Sequence, residues 1–382
     1  MKKILVLGGV GAMATETTID LVKTSDFEEI MVADINLKKV KNFIQKLGDK
    51  RLKADKIDAE DITKMADLMK GYDVVANGLP RVFCENAIKA AIQAKVDMLD
   101  LISPHEETLA LDKNARSAGI SVVGGVGITP GITNILAQLG ADRFDKVEQI
   151  DIDFAAFRSI AHSPGLLHVI LWEFDPRTEN RFYYENGKLI ANPPFSGARS
   201  VDFPEPIGTQ TTYYVPHGES QTLSKNIEGV KRVCIRGCFP PRAMELVKAL
   251  YNYGVYESKP IRYEGMKIQP LEFVKQYVLN VSEGDQTELW GYSVQVEVIG
   301  SLKNHHVMQR FVTSHPPMEK WDGQRAYAKN VGIPLSIGAQ LLAQGKVKKK
   351  GVDGAETMLP AEEFVAELRK RDFVINESLF YL

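Results

Sequence analysis

The chain has 382 residues, of which 44% are hydrophobic and 25% charged, with a formal net charge of -2. This is long enough for two domains with separate cores. The near-neutral charge excludes the basic footprint of a nucleic-acid binder, and no apolar run approaches the ~18 residues of a membrane span. Lys348-Lys349-Lys350 is the only basic run and reads as a solvated loop. Cys84, Cys234 and Cys238 form no disulfide framework, Cys234 and Cys238 lack the C-x-x-C spacing, and no histidines are grouped for zinc. They read as buried thiols in a reducing, cytoplasmic setting, with no metal expected.

Ile4-Leu5-Val6-Leu7 is a short apolar run bounded by glycine, as a buried strand requires. Gly8-Gly9-Val10-Gly11-Ala12-Met13-Ala14 follows, then a helix-compatible segment, then Ile30-Met31-Val32-Ala33 ending in Asp34. In the frame Gly9-x-Gly11-x-x-Ala14 this is the order of a dinucleotide-binding βαβ unit, and Asp34 falls near the expected ~20-residue distance. Glycines let the backbone approach a diphosphate, and first-turn amides meet its charge. A carboxylate at Asp34 accepts from a ribose 2′-OH and repels a 2′-phosphate, so NAD is expected over NADP. Lys38 and Lys39 are expected to face solvent on the next helix. Met1-Lys2-Lys3 with Ala12-Met13-Ala14 imitates a secretory signal. The apolar run stops at Leu7, however, and cleavage would remove the strand that residues 30–34 need as a neighbour, so that reading is rejected.

Leu37, Val40, Phe43, Ile44 and Leu47 mark a helix, Leu52–Asp58 a strand, and Ile62, Met65 and Met69 a helix from about Asp61. Strands follow at 73–77, 96–101 and 120–124, with helices at 82–95 and 105–118. Alternation at this spacing predicts a Rossmann-type, doubly wound parallel sheet. Ligands of such sheets bind at the carboxyl ends of strands, where Asp58, Asn77, Leu79, Pro80, Asp100 and the Gly127–Gly131 turn fall. Thr129-Pro130 reads as N-cap and N1 proline of a helix through Ile132, Ile135, Leu136 and Leu139. From about residue 145 the pattern alternates: 149–154, 209–215, 230–236, 291–299 and 306–313, the last two as a hairpin. Helices are expected near 166–174, 243–253 and 270–278. The second domain is thus an inserted α+β substrate domain of mainly antiparallel sheet. The expected division is 1–130 for nucleotide binding, 131–315 for substrate and dimerisation, and 316–382 for helices packing back on the first domain.

The glycine turn, Val75–Pro80, Val96–Asp100 and above all Gly127-Ile128-Thr129-Pro130-Gly131-Ile132-Thr133-Asn134 carry a resemblance to the saccharopine dehydrogenase superfamily, within it to the L-lysine 6-dehydrogenase branch. The resemblance is firm over residues 1–140 and looser beyond. It implies an NAD(P)-dependent enzyme oxidising a carbon–nitrogen bond of an amino acid or amino-acid conjugate, in a homodimer or higher homo-oligomer. The glycine turn is more compact than the G-x-G-x-x-G of the family.

Such chemistry needs a proton acceptor for the amine and cations for carboxylates. His162 and His168 precede or enter a helix, with Trp172 one turn beyond His168. His217 and Glu219 lie in a turn-rich segment, where functional residues concentrate. Arg236, at a strand end, is the first carboxylate anchor and Arg158 the second; Asp100 faces the cofactor end of its strand. Each has a plainer reading: core packing for His168 and Trp172, a solvated turn for His217 and Glu219, an internal ion pair for Arg236 and a loop cap for Asp100. His305-His306, at the hairpin tip, lacks a third ligand close in sequence. The expected reaction is lysine 6-dehydrogenase-like deamination with NAD. The alternatives are a saccharopine- or carboxynorspermidine dehydrogenase-like reaction on a secondary amine, or an NAD sensor without turnover. A conjugate with several carboxylates would need converging arginines among Arg158, Arg177, Arg181, Arg199, Arg232, Arg236 and Arg242.

Overall fold

The computed structural model describes residues 2–157, 164–280, 291–314 and 325–382. Its strands are β1 (Lys3–Leu7), β2 (Glu29–Asp34), β3 (Leu52–Lys56), β4 (Val74–Asn77), β5 (Asp97–Asp100), β6 (Ser121–Gly124), β7 (Lys146–Phe157), β8 (Phe182–Glu185) and β9 (Lys188–Ala191). They continue with β10 (Arg199–Asp202), β11 (Thr209–Tyr214), β12 (Arg232–Cys238), β13 (Ile261–Tyr263), β14 (Met266–Ile268), β15 (Gly291–Leu302), β16 (His305–Ser314), β17 (Gly351–Gly354) and β18 (Val374–Tyr381). The chain divides into two compact units: Met1–Arg143 with Lys225–Ile227 and Ala328–Asp372, and Phe144–Ser224 with Glu228–Tyr327 and Phe373–Leu382.

The first unit is built on a parallel sheet in the order β17-β6-β5-β4-β1-β2-β3. Strand order reverses between β1 and β4, which opens the ligand crevice of doubly wound folds at their carboxyl ends. Ile4 to Leu7 are fully buried, since helices cover both sheet faces. Met65, Met69, Ala87, Ile88 and Ala91 pack on Leu5, Leu7, Val75, Met98 and Val122. The Leu37–Leu47 and Ile62–Met69 helices start where Asn36 and Asp61 accept from the Lys39 and Lys64 amides, each at 3.0 Å. The helix expected at 105–118 is two short ones, Glu106–Leu109 and Asp112–Ala118.

Three local expectations change. The helix after β6 starts at Ile132 with Gly131, not Thr129, as its N-cap, and Thr129-Pro130 is cis. Gly131 stands at φ +134°, where an added Cβ would strike the Gly127 backbone, and its amide donates to Asn134 Oδ1 at 3.0 Å. The asparagine thereby does the capping expected of Thr129. Residues 351–354 add β17 beside β6, although Gly-Val-Asp-Gly carries one apolar side chain; Val352 N donates to Asp112 Oδ1 at 2.9 Å and Ser121 Oγ to the Lys349 carbonyl at 2.8 Å. Within the stretch 316–382, expected to hold several helices, Ala326–Ala343 is one continuous helix with Pro334 inside it.

The second unit holds the sheet β10-β11-β12-β7-β15-β16-β18, with β8 and β9 off its path. Only β7 and β12 pair in parallel along it. β15 and β16 form the expected hairpin, turning on Lys303 and Asn304, both at positive φ as a two-residue hairpin turn demands. Alternation along β7 sends Ile150, Ile152 and Phe154 to one face and Asp151 and Asp153 to the other, all buried. The stretch expected to be a turn after His217 is instead a helix, Glu219–Asn226, whose first turn carries an acid as the helix dipole favours.

Candidate functional site

In the first unit the cradle is backbone. Gly9 N donates to Ala33 O at 3.2 Å and Gly11 N to Gly8 O at 2.8 Å, closing the turn against β2. A Cβ on Gly9 would collide with Val32 Cγ1, so only glycine lets the two strands approach here. Gly11 caps the Ala12–Thr24 helix with no side-chain cap. The amides of Ala12, Met13 and Ala14 belong to the helix turn that lacks intrahelical acceptors, and an anion satisfies them. Val10 is buried under the turn. These features fit the pyrophosphate of a nicotinamide dinucleotide.

Asp34 ends β2 half-buried, its Oδ1 accepting from Asn36 N at 3.1 Å. Lys38 is exposed as expected, but Lys39 reaches back, and its ammonium donates to the Val10 carbonyl at 2.8 Å. The rim of the cradle therefore carries both an acid and a cation. Asp58 is exposed and accepts from Glu60 N at 3.0 Å, an ordinary turn contact. Asn77 is buried and used at both ends: Nδ2 donates to Asp100 Oδ2 at 2.8 Å, and Oδ1 accepts from Leu79 N at 3.2 Å. Pro80 is exposed and opens the 3-10 turn Arg81–Phe83. Asp100 is 3% exposed and accepts from Ile102 N at 2.8 Å and Cys84 Sγ at 3.6 Å. Burial raises its pKa despite these donors. Its observed contacts tie the β4 and β5 ends together.

The Gly131 turn leads into a polar network that the sequence did not disclose. Asn134 Nδ2 donates to Glu356 Oε2 at 3.0 Å, and Asn226 Nδ2 to Glu356 Oε1 at 2.8 Å. Glu356 and Asn226 stand far apart in the chain, and no local spacing announces them.

In the second unit, His217 follows β11, and its Nε2 lies 3.2 Å from Glu173 Oε1. Its ring stacks on Phe154 at 5.2 Å with a 15° interplanar angle. Phe154 in turn stacks on Tyr292, which meets Tyr327. Glu173 closes the Pro164–Glu173 helix and is 2% exposed; no residue position singled it out beforehand. Glu219 is fully buried at the start of its helix. His168 is exposed and Trp172 half-buried on the helix that ends in Glu173. Arg158 and His162 lie outside the described residues.

Arg236 is buried and committed within the fold. Its Nη1 donates to Asp151 Oδ1 at 2.9 Å, its Nε to Gly197 O at 3.0 Å, and the guanidinium lies over the Tyr214 ring at 4.8 Å. Arg199 bridges Asp153 at 2.9 Å and Glu297 at 2.6 Å, and Arg310 holds Glu297 at 2.8 Å. Burial pushes Asp153 up to about 6, against the pull of Arg236 and Arg199. Burial pushes Asp151 upward too, but Arg236, Gln149 and Arg199 together hold it below the usual range. Among the described residues no group of three or more His, Cys, Asp or Glu could hold a metal ion, and no helix is long and apolar enough to cross a membrane.

Residues 4–123 match the family described as saccharopine dehydrogenase NADP binding domain, and residues 127–374 that described as saccharopine dehydrogenase C-terminal domain. A carboxyaminopropylagmatine dehydrogenase of Synechocystis is 25% identical over 96% of this chain and 95% of its own. The NADP(+)-dependent, L-glutamate-forming saccharopine dehydrogenase of Saccharomyces cerevisiae is 28% identical over 76% of this chain and 60% of its own. The chain covers 16% of a bovine alpha-aminoadipic semialdehyde synthase, to which it is 28% identical over 41% of its own length. The solved apo saccharopine dehydrogenase (L-Glu forming) of S. cerevisiae superimposes over the full length of both chains with a TM-score of 0.77 at 17% identity, a likeness of fold.

Proposed function

The chain belongs to the saccharopine dehydrogenase family, and we propose that it is a nicotinamide-nucleotide oxidoreductase acting on a secondary C–N bond of an amino-acid-derived amine. The observation that carries this reading is a glycine cradle at the sheet's switch point in a chain that aligns end to end with a relative named as a dehydrogenase of such an amine. Lysine 6-dehydrogenase-like attack on a primary amine is the second reading. What favours it is that Arg181, Arg199, Arg236 and Arg310 are engaged by the protein's own carbonyls and carboxylates, which leaves fewer cations for a substrate with several carboxylates.

A nicotinamide dinucleotide held at the cradle would supply the hydride acceptor for oxidation of the substrate's C–N to C=N. The residues' own task is to hold the dinucleotide on the amides after Gly11, receive the proton lost from nitrogen, and exclude bulk water. His217 is the proposed proton acceptor, an imidazole being the side chain whose ordinary pKa suits the role. Water added to the C=N carbon then releases an amine and a carbonyl. Asp100, His168 and Glu219 are proposed as further contributors, whereas Arg236 is held by Asp151 and Gly197.

The test is a panel of saccharopine, carboxyaminopropylagmatine, lysine, ornithine and diamines with NAD and NADP, read as reduced-nicotinamide absorbance. Turnover of a secondary amine supports the first reading, turnover of lysine alone the second, and binding of nucleotide without turnover a sensor. For the nucleotide, Asp34 favours NAD, while Lys39 offers a cation to a 2′-phosphate. We take NAD as preferred. Asp34→Ala is then expected to weaken NAD about tenfold while leaving NADP nearly unchanged, as a lost charged hydrogen bond does. An unaltered NAD affinity, with Lys39→Ala weakening NADP, reverses the preference.

A further inference from the structure

We infer that Glu173 is a positioning residue for His217, so that the pair, and not the histidine alone, forms the basic centre of the second unit. The inference deepens the proposed function and rests on it for the identity of the proton received. Its structural basis is independent of any substrate.

In the proposed pair the Glu173 carboxylate accepts from Nε2, 3.2 Å away, so that the lone pair of a neutral ring stands on Nδ1. The Phe154 stack fixes the ring plane while the carboxylate fixes its rotation about that plane. Two constraints from different elements, β7 and the Pro164–Glu173 helix, thus hold one imidazole in one tautomer. A proton arriving at Nδ1 makes an imidazolium already facing a carboxylate, the arrangement in which a buried acid supports a histidine base. Glu173 Oε2 is buried and accepts no hydrogen bond among the described residues, an unusual expense for a group serving only packing.

The competing role for Glu173 is counter-ion to Arg181, which is 1% exposed. The hydrogen bonds argue otherwise. Arg181 Nη2 donates to the main-chain carbonyls of Glu173 at 2.6 Å and Asp175 at 3.2 Å, and Nη1 to that of Asn192 at 3.3 Å. The guanidinium is directed at peptide oxygens, and the Glu173 carboxylate at the imidazole. Among the described residues, Arg181 acts electrostatically on Glu173, Glu219 is buried two residues along the chain from His217, and Tyr292 stacks on Phe154.

The experiment uses the full chain. With a substrate from the panel, Glu173→Gln is expected to lower kcat by ten- to a hundredfold with KM within twofold. It should also move the acidic limb of the kcat/KM profile to lower pH by about one unit, because loss of a neighbouring anion makes the imidazole less basic. His217→Asn should cost as much, and the double variant no more than either. Glu173→Asp keeps a negative charge for Arg181 but withdraws the carboxylate from Nε2; it should shift the limb the same way with an unchanged melting temperature. It also serves if the glutamine variant does not fold. A lower melting temperature with kcat and limb unmoved would assign Glu173 to Arg181 and overturn the inference. Should no amine be turned over, the proposed function fails separately. Nitrogen-15 NMR of the seven histidines, assigned with His217→Asn, still decides the pairing. The Nε2–H tautomer and a titration lowered in Glu173→Asp support it; the Nδ1–H tautomer refutes it.

Discussion

Side chains that look alike in the sequence have opposite fates in the fold, and burial decides which. Arg236, expected to anchor a substrate carboxylate, has its donors taken by Asp151 and Gly197. Asp151 and Asp153 stand two residues apart on one strand face, yet one is held below and the other above the ordinary range: burial raises both, but it outweighs the pull of Arg236 and Arg199 only at Asp153, whose side chain is 1% exposed against 6% for Asp151. The displaced titration has a consequence for stability. Folded, Asp153 keeps its proton up to about pH 6; unfolded, it releases it near 3.8. Between these values the folded state binds more protons, so this carboxyl's contribution is full below the lower pH and lost as the pH rises to the upper one. Melting temperatures of the native chain and Asp153→Asn, measured from pH 4 to 7, should show the native chain losing ground to the variant over that window. A difference independent of pH contradicts the displaced titration.

Turns and short helices show how much a glycine and one remote acceptor control. The helix after β6 begins where Gly131 bends and Asn134 folds back on its amide. Gly131→Ala places a methyl group against the Gly127 backbone at a φ that alanine avoids. We expect a loss of at least about 2 kcal/mol in urea denaturation, from strain at the turn. Asn134→Ala removes a cap and a donor to buried Glu356, and should cost about 1–3 kcal/mol in the same measurement. Equal stability of either variant with the native chain would mean that the turn is not fixed by these contacts. The Glu219–Asn226 helix escaped notice because its sequence, mostly short polar side chains after a glycine, has turn composition; its burial of Glu219, Ser220 and Leu223 supplies what intrinsic propensity does not.

Across the first unit, the two ends of the sequence are fastened by a buried charge. Arg371 Nε donates to Asp20 at 2.9 and 3.0 Å, and Ser336 Oγ donates to the same carboxylate at 2.6 Å. Both charged side chains are less than a tenth exposed. Removing one partner strands the other in a medium that solvates it poorly, so Asp20→Ala should cost about 3–5 kcal/mol. Because Arg371 bonds to Glu367 as well, the double variant Asp20→Ala/Arg371→Met is expected to recover part of this loss. If the double variant is no more stable than Asp20→Ala, the stranded charge is not what the single substitution costs.

Local order was readable from the residues alone: the buried run Ile4–Leu7, the glycine bend, the capped helices after Asn36 and Asp61, and the β15–β16 hairpin all follow from side-chain period and turn chemistry within a few positions. The same rules placed His217 among the residues worth weighing. They had no means of finding Glu173, Glu356 or β17. A carboxylate's partner and a glycine-rich strand's neighbour are set by which segments meet after the chain closes on itself. The reach of Lys39 back to Val10, and the diversion of Arg236 into an ion pair, likewise depend on distances between separate elements. Sequence pattern fixes a segment's fold where near neighbours govern that choice; burial and register, which give a buried acid or base its role, come only from contacts between segments remote along the chain.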